Sequence, residues 1–380
     1  MTHRVLFVST PPYIGGAEVS LMALMQNLNR NQYQPQLLTS AKGALFEQAC
    51  ELGIPVSAQS FPWFSRRRPW HYLGSIYHLS KIIRREGIKL IHTNCDHSLR
   101  YVMYASKLTG VPFVSHVRDL VRTWFEPEKV SALNQAQQVI ANSNATAEAC
   151  VRAGINQTRL KTIYNPINVN EFAQIEKSTA VEWRAGQNIP ANNLVVGIVG
   201  QIQPIKGHQE FIEASCQLAA TLSNISFVVV GAPPPGETNS AFAAQLQASV
   251  SSLGHAERFH FLGFQNNISV IMNALDILVV PSWQEPFGRV AVEGMAAGCT
   301  VIGTRAGGLP EIITDDVDGL LVSPKNVPDL LAALHRVAID QTLRCRLAQA
   351  GQRTAQKFAV ANHVNSIQTV YDSILVNYPH

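Results

Sequence analysis

The sequence predicts an α/β protein with two doubly wound domains, each built on a parallel sheet that helices cover on both faces. Short β-branched segments alternate with longer segments whose apolar residues recur at helical spacing. The strand-like segments are apolar throughout, which is typical of parallel strands buried on both faces. The alternation stops in the polar residues 168–192 and then starts again, which indicates a second domain.

Six strand-like segments occur in the first half of the chain. They span residues 4–10, 34–40, 88–94, 111–117, 137–143 and 160–167. The clearest helical patterns between them cover residues 17–28 and 98–110. We expect residues 1–168 to form the first domain and residues 168–192 to contain the connection to the second.

Six more strand-like segments follow in the second half. They span residues 194–202, 225–231, 258–264, 276–282, 299–304 and 318–324. Residues 208–222 have a helical pattern, and residues 358–376 have the pattern of a last amphipathic helix. We expect the second domain to cover residues 169–360.

Composition argues against a nucleic-acid-binding, a zinc-binding or a disulfide-rich protein. The chain has 380 residues, of which 46% are hydrophobic, and its net charge of +4 gives no reason to expect a nucleic-acid partner. Its six cysteines form no Cys-x-x-Cys pair, so we expect neither a zinc site nor a disulfide framework. No signal peptide or run of about 20 apolar residues is recognisable, so we expect a cytoplasmic protein.

The loops that follow the strands carry the candidate site residues, because open parallel sheets bind ligands at that edge. The pair Gly15-Gly16 precedes a helix with Glu18 in its first turn. This arrangement suits an anion or a polar ligand, or simply a tight turn. Lys206 precedes a second helix, where a cation is unfavourable, and this favours a bound phosphate over a solvated surface lysine.

Two carboxylates, Glu285 and Glu293, lie in the segment PSWQEPFGRVAVEGMAAG (281–298). Pro286 is predicted to begin a helix. If both glutamates were helical, roughly 12 Å would separate them along the axis, which is too far for a glycosidase carboxylate pair. We interpret them as holding two parts of one long ligand through its hydroxyl groups; a capping acid and a buried, satisfied glutamate are the alternative.

The segment EPFGRVAVE, followed by MAAGCTVIGTRAGGLPEII, resembles the Glu-x7-Glu block of the retaining glycosyltransferases of family 4. Weaker matches follow the order of that family: GGAE (15–18), HVRD (116–119), ANS (141–143), YNPI (164–167) and KG (206–207). The resemblance covers nearly the whole chain. It implies the GT-B fold, in which two Rossmann-like domains face each other across a cleft, the first on the acceptor side and the second on the nucleotide-sugar side. A last helix, about 361–380, would cross back to the first domain.

The resemblance also implies roles for individual residues. Glu293 would hold the ribose of a nucleotide-diphosphate sugar. Glu285, with the backbone amides of Phe287 and Gly288, would hold the transferred sugar near its anomeric carbon. Lys206 would pair with the diphosphate.

Further roles fall on the first domain and on the rim of the second. The Gly15-Gly16 loop would close over the diphosphate, and Phe264 counts among the donor-binding residues. His116 would lie beside the sugar and would be catalytic, together with the lysine and the first glutamate of the block.

Gln201 departs from the family, which usually has an arginine at this place. Glutamine carries no charge, so the diphosphate loses one ion-pair partner, and charge-assisted hydrogen bonds are roughly twice as strong as neutral ones. Four interpretations are open: Arg305 or another cation substitutes, the affinity is lower, the donor is held differently, or the chain is an inactive relative.

The implied reaction moves a hexose-type sugar from a UDP- or GDP-linked donor to a hydroxyl acceptor, such as a lipid-linked or polysaccharide precursor, with retention. It needs no metal, no cofactor and no protein base. The Asp-x-Asp pattern in TDDVDG (314–319) is interpreted as a surface turn. The alternatives are a non-hydrolysing sugar-nucleotide epimerase and a nucleotide-sugar-binding protein without turnover.

The segment FPWFSRRRPWHY (61–72) is the clearest peculiarity of the predicted acceptor side. Large aromatic residues, Trp63 among them, flank Arg66, Arg67 and Arg68. Aromatic residues beside basic ones suit an anionic membrane interface or an anionic lipid-linked acceptor. A packed loop with solvated arginines is the alternative.

Overall fold

A computed structural model describes residues 2–11, 13–120, 125–234 and 236–378. The chain divides into two compact units. Unit 1 comprises Met1–Pro166 and Val360–His380, and unit 2 comprises Ile167–Ala359. Each unit contains one parallel sheet with helices around it, which confirms the predicted fold class.

Unit 1 has a seven-stranded sheet in the order β3-β2-β1-β4-β5-β6-β7. Its strands are β1 (His3–Val8), β2 (Tyr33–Thr39), β3 (Val56–Ala58), β4 (Ile88–Thr93), β5 (Phe113–Val117), β6 (Gln138–Ala141) and β7 (Leu160–Thr162). Its helices are α1 (Gly16–Asn27), α2 (Ala44–Glu51), α3 (Pro69–Arg85), α4 (Asp96–Thr109), α5 (Pro127–Leu133), α6 (Asn144–Arg152) and α16 (Val360–Asn377). The last helix packs on α1 and buries Ile367 and Tyr371 in the core of this unit.

Unit 2 has a six-stranded sheet in the order β10-β9-β8-β11-β12-β13. Its strands are β8 (Leu194–Val199), β9 (Ile225–Val230), β10 (Phe259–Gly263), β11 (Ile277–Val280), β12 (Thr300–Thr304) and β13 (Leu320–Val322). Its helices are α7 (Val169–Ala173), α8 (Lys177–Gly186), α9 (His208–Ala219), α10 (Glu237–Ser252), α11 (Ile268–Asn273), α12 (Arg289–Ala297), α13 (Leu309–Ile312), α14 (Val327–Ile339) and α15 (Gln341–Ala355).

The strand orders determine where each sheet can bind a ligand. In unit 2, the chain passes from β8 to β9 on one side of the sheet and from β11 to β12 on the other side. The loops that follow the adjacent strands β8 and β11 therefore diverge at their carboxyl ends. β1 and β4 have the same relation in unit 1. In open α/β sheets, such a switch point is the usual place for a ligand crevice.

Two local features differ from the sequence-based expectation. The strand β3 was not predicted, because it has only three residues and no apolar run. Residues 168–192, predicted as a connection, contain the helices α7 and α8, which pack on α11 and α12 within unit 2. Among the described residues, no helix is long and apolar enough to cross a bilayer.

Candidate functional site

The switch point of unit 2 brings Lys206 and Glu285 together, although 79 residues separate them in the chain. The Lys206 ammonium lies 2.8 Å from Oε2 of Glu285, and the hydroxyl of Ser282 donates to the same oxygen at 3.0 Å. The sequence predicted an anion beside this lysine. In the structure the Glu285 carboxylate occupies that place, so a phosphate would have to share the lysine with it.

Close backbone packing fixes the loop after β8 against the loop after β11. Gly207 has a φ of +73°, and a Cβ atom at this residue would lie 2.1 Å from the carbonyl oxygen of Pro281. Only glycine fits there, since both the dihedral angle and the available space exclude a side chain. Trp283 connects the loops again, with its backbone N–H donating to Ile205 O at 2.8 Å and its indole N–H to Glu210 at 2.7 Å.

A glycine pair after β12 fixes the backbone of Glu285. The Gly308 N–H donates to the carbonyl oxygen of Glu285 at 2.8 Å. Gly307 has a φ of +58°, and a Cβ atom there would lie 1.9 Å from the same oxygen. The Gly-Gly of the segment AGGLPE is therefore needed for close approach to the loop that carries the candidate carboxylate.

The helix α12 begins later than the sequence pattern predicted. Gly288 is its N-cap, with a φ of +107°, and Arg289 is its first residue, so Pro286 lies outside the helix. Because Gly288 has a left-handed backbone conformation, the helix can begin only after it. This outweighs the preference of proline for a first helical position. The side chain of Phe287 is buried and packs edge-on against Phe358, with ring centroids 5.5 Å apart.

Glu293 lies within α12 and pairs with Arg289, one turn earlier, at 3.0 Å. Only 12% of its side-chain surface is exposed, and 13% of that of Glu285. Each carboxylate therefore has its own cation, and Glu285 is not helical. This arrangement differs from a shared-proton carboxylate dyad. It fits two separate binding roles as well as the alternative of two satisfied structural glutamates, so the binding roles stay a prediction.

The other predicted residues of unit 2 lie at the rim of the same edge. The Gln201 side chain is exposed and accepts a hydrogen bond from Gln203 at 2.8 Å. Phe264 follows β10 directly and is highly exposed. Arg305, the substitute cation considered above, is half-exposed and pairs with Asp315 at 2.6 Å.

The Asp-x-Asp pattern lies in a turn before β13, as predicted. Its carboxylates have protein partners: Asp315 pairs with Arg305, and Asp316 accepts from Arg336 and Arg346. Asp318 accepts hydrogen bonds from the Thr314 N–H and the Thr354 hydroxyl, both at 2.7 Å. These contacts give all three aspartates a structural role.

The Gly15-Gly16 loop of unit 1 is tied to Glu18. The Gly15 N–H donates to the Glu18 carboxylate at 3.1 Å, and the Ser9 hydroxyl donates to its other oxygen at 3.4 Å. Burial raises the pKa of Glu18 above its ordinary value, although these hydrogen bonds oppose the shift. Gly15 has an ordinary φ of −116°, so the pair provides room rather than a left-handed turn.

His116 is fully buried in β5, between His92 and His363, whose ring centroids lie 5.7 and 6.0 Å away. Within the part of the chain that the structure describes, neither ring nitrogen of His116 has a hydrogen-bond partner. Burial holds the pKa of His116 and of His92 well below the ordinary value, and the positive charge of Arg118 adds to both shifts. Both rings are therefore neutral at physiological pH. The catalytic role of His116 stays a prediction.

We expect acid to destabilise the protein already below pH 6.5. The unfolded chain protonates His92 and His116 near 6.5 and the folded chain does not, so each lowers the free energy of unfolding by roughly 1.4 kcal/mol per pH unit below that value. Urea unfolding at pH 7.5, 6.5 and 5.5 measures this loss. The exposed variant His71→Gln should keep it and His92→Gln should reduce it. Constant stability across the series would contradict the neutral state of the two rings.

Arg118 lies within the segment HVRD but was not among the predicted site residues. It is 7% exposed and donates to Asn94, after β4, at 2.8 Å, and also to Asn165, after β7. The side chain of Asn142, after β6, donates to the Arg118 carbonyl at 2.9 Å. The motifs HVRD, ANS and YNPI thus belong to one hydrogen-bonded network, which joins their loops at the carboxyl edge of the sheet.

The aromatic and basic segment 61–72 has one packed end and one exposed end. Phe61 and Tyr72 are buried, whereas Trp63 is 75% exposed. The three arginines, Arg66, Arg67 and Arg68, are exposed just before α3. That helix extends the exposed apolar surface with Trp70 and, beyond the predicted segment, with Leu73 and Tyr77.

Comparisons with known proteins agree in both halves of the chain. Residues 14–171 match the family model "Glycosyltransferase Family 4", and residues 180–354 match "Glycosyl transferases group 1". Two similar curated proteins are D-inositol 3-phosphate glycosyltransferases. The one from Saccharomonospora viridis is 28% identical over 351 residues, which are 90% of this chain and 76% of that protein. The one from Rhodococcus opacus is 27% identical over 359 residues, or 93% and 75%.

Solved structures of similar chains cover both units. HepE from Anabaena, in complex with UDP and glucose, has a TM-score of 0.85 and 27% identity, covering 98% of this chain and 100% of HepE. Sucrose-phosphate synthase from Thermosynechococcus elongatus has a TM-score of 0.82 at 20% identity, covering 99% and 100% of the two chains, which supports the fold alone.

Proposed function

The chain belongs to glycosyltransferase family 4 and has the GT-B fold, and from this premise we propose that it transfers a hexose-type sugar from a nucleotide-diphosphate sugar to a hydroxyl acceptor with retention. The Lys206–Glu285 pair at the switch point of unit 2 carries the proposal. A cation beside a part-buried carboxylate is suited to a ligand that has both a diphosphate and sugar hydroxyls. The complex of HepE with UDP and glucose supports a uridine donor.

Charge stabilisation is the catalytic effect that these residues can supply. Negative charge grows on the diphosphate as the bond to the sugar breaks, and the Lys206 ammonium stabilises it. The positive end of α12 acts in the same direction on a phosphate near Gly288. Glu285 is proposed to orient the sugar hydroxyls, Glu293 to hold the ribose, and Phe264 to line the donor. The catalytic role of His116 in unit 1 is likewise a proposal, which rests on membership of the family.

Product analysis distinguishes this function from its two rivals. The protein is incubated with a panel of UDP- and GDP-sugars, alone and with candidate hydroxyl acceptors. A transferred sugar with its anomeric configuration retained is the expected outcome. An epimerised donor without acceptor would indicate the epimerase, and donor binding without any product would indicate a binding protein.

We expect sugar transfer to persist in EDTA, because Lys206 and the backbone amides of α12 would stabilise the negative charge of the diphosphate. Chelated and untreated enzyme should have the same rate within a factor of about two. Loss of transfer in EDTA, with recovery on addition of magnesium or manganese, would contradict this metal-independent mechanism. The variant Asp316→Asn, which loses the exposed acidic group of the Asp-x-Asp turn, serves as a control for metal capture there.

We propose that the acceptor is lipid-linked and that unit 1 contacts the cytoplasmic face of an anionic membrane. Trp63, Trp70 and Tyr77 expose aromatic surface beside three arginines. Residues 61–85 contain no aspartate or glutamate, so nothing within the segment offsets its positive charge. Aromatic side chains with uncompensated basic residues suit the headgroup region of a bilayer.

We expect the triple substitution of Arg66, Arg67 and Arg68 by glutamine to weaken binding to anionic liposomes and to leave donor binding unchanged. Each charge contributes roughly 1 kcal/mol near such a surface, and salt screens it. Co-sedimentation at two salt concentrations measures the loss, which should be smaller at the higher concentration. A matched control replaces three exposed cations elsewhere in unit 1: Arg30, Arg152 and Lys161. Equal sedimentation of both triple variants would exclude a specific membrane role for the segment.

A further inference from the structure

The charges of the proposed donor site do not balance without Arg289. Glu285 and Glu293 are the two carboxylates of the site, and both side chains are largely buried. With Lys206 as the only cation, the site would be negative before a diphosphate enters. Such a site would repel its ligand, because charges that are poorly exposed to water are poorly screened.

Arg289 brings a second cation to this place. Its side chain is 16% exposed, and its guanidinium lies 3.0 Å from the Glu293 carboxylate. Its neighbour Gly288 adjoins the other carboxylate, since an ideal Cβ atom on Gly288 would lie 3.6 Å from Cγ of Glu285. Arg289 therefore belongs to the same turn of chain that separates the proposed sugar and ribose contacts. The diphosphate is the part of the donor that joins those two groups.

Helix stability does not explain an arginine at this position. Arg289 is the first residue of α12, where a cation opposes the helix dipole. An ion pair four residues apart stabilises a helix best when the acid comes first, whereas here the base comes first. An anion at the amino end of the helix would offset the first of these features, because it attracts both the helix dipole and the guanidinium.

We infer that Arg289 is the second cation for the donor diphosphate and compensates for the uncharged Gln201; this inference rests on the proposed function. Gln201 is exposed and bonded to Gln203, so it offers the phosphates no charge. Arg305 is a weaker candidate, because 52% of its side-chain surface is exposed, against 16% for Arg289. With Arg289, the site has two cations and two carboxylates. Its net charge is then zero until the diphosphate binds.

Calorimetry with UDP and uridine, and with GDP and guanosine, tests the inference on the full chain. Arg289→Gln should weaken binding of the preferred diphosphate by about 10- to 100-fold, because a charge-assisted hydrogen bond is lost. Binding of the matching nucleoside should change less than about threefold. Arg289→Lys should recover part of the loss, and Gln201→Arg in the Arg289→Gln background should recover most of it. Thermal unfolding of each variant checks that it folds.

The outcomes separate this inference from the proposed function. If Arg289→Gln weakens diphosphate and nucleoside binding by the same factor, the arginine only orients Glu293 toward the ribose, and the inference is overturned. Unchanged diphosphate affinity would overturn it too. If the wild-type protein binds neither UDP nor GDP, the proposed function itself is wrong.

Discussion

Replacing Lys206 by methionine is expected to lower kcat for sugar transfer by about 10²- to 10³-fold, the usual cost of removing a group that stabilises charge in a transition state. Methionine keeps much of the length of the side chain but cannot neutralise the leaving diphosphate. It also leaves Glu285 with only the Ser282 hydroxyl as a side-chain partner among the contacts described above. Initial rates at saturating donor and acceptor measure the effect.

Two further variants separate charge from packing at this position. Lys206→Arg keeps a cation beside Glu285 and should recover part of the rate. Lys177→Met removes an exposed lysine from unit 2 and should have no effect on it. If Lys206→Met transfers sugar at the wild-type rate, the lysine does not act on the leaving group.

Replacing Glu293 by alanine is expected to weaken nucleotide binding by about 1–3 kcal/mol, because it removes the proposed acceptor for the ribose hydroxyls and leaves buried groups unpaired. In the structure Arg289 also loses its carboxylate partner at 3.0 Å. Calorimetric titration with UDP and with uridine should show the loss for both ligands, since both contain the ribose.

The matched control for this experiment is Glu182→Ala, which removes an exposed glutamate from α8 of the same unit. It should bind UDP as the wild type does. Glu293→Gln keeps a hydrogen-bond acceptor and should lie between the wild type and the alanine variant. Unchanged affinity in Glu293→Ala would exclude the ribose role.

The fold could be predicted from the sequence, because strand and helix patterns depend on residues that are close together in the chain. Strands such as β9 are apolar along their whole length, which identifies parallel strands covered on both faces. The restart of the alternation after residue 192 separated the two sheets. β3 was missed, since three half-exposed residues at a sheet edge have no such pattern.

Sequence patterns also predicted the loops of the candidate site, but not the contacts within them. Arg289 could have been found from its position four residues before Glu293 on one helix. The contact of Gly307 and Gly308 with the Glu285 backbone could not, because it depends on how the loops after β11 and β12 pack. The same holds for Arg118, whose partners Asn94 and Asn165 come from other strands.

The sequence by itself determined the two parallel sheets, the family and the loops that carry charged residues, because periodicity and short motifs depend on near neighbours. Only the tertiary structure decided the state of each charged or titratable group. Lys206 pairs with Glu285 across 79 residues, and His116 is neutral because other elements bury it. It also decided that α12 starts after Gly288. Burial, pairing and close backbone approach depend on segments distant in the chain, whose distances only folding determines.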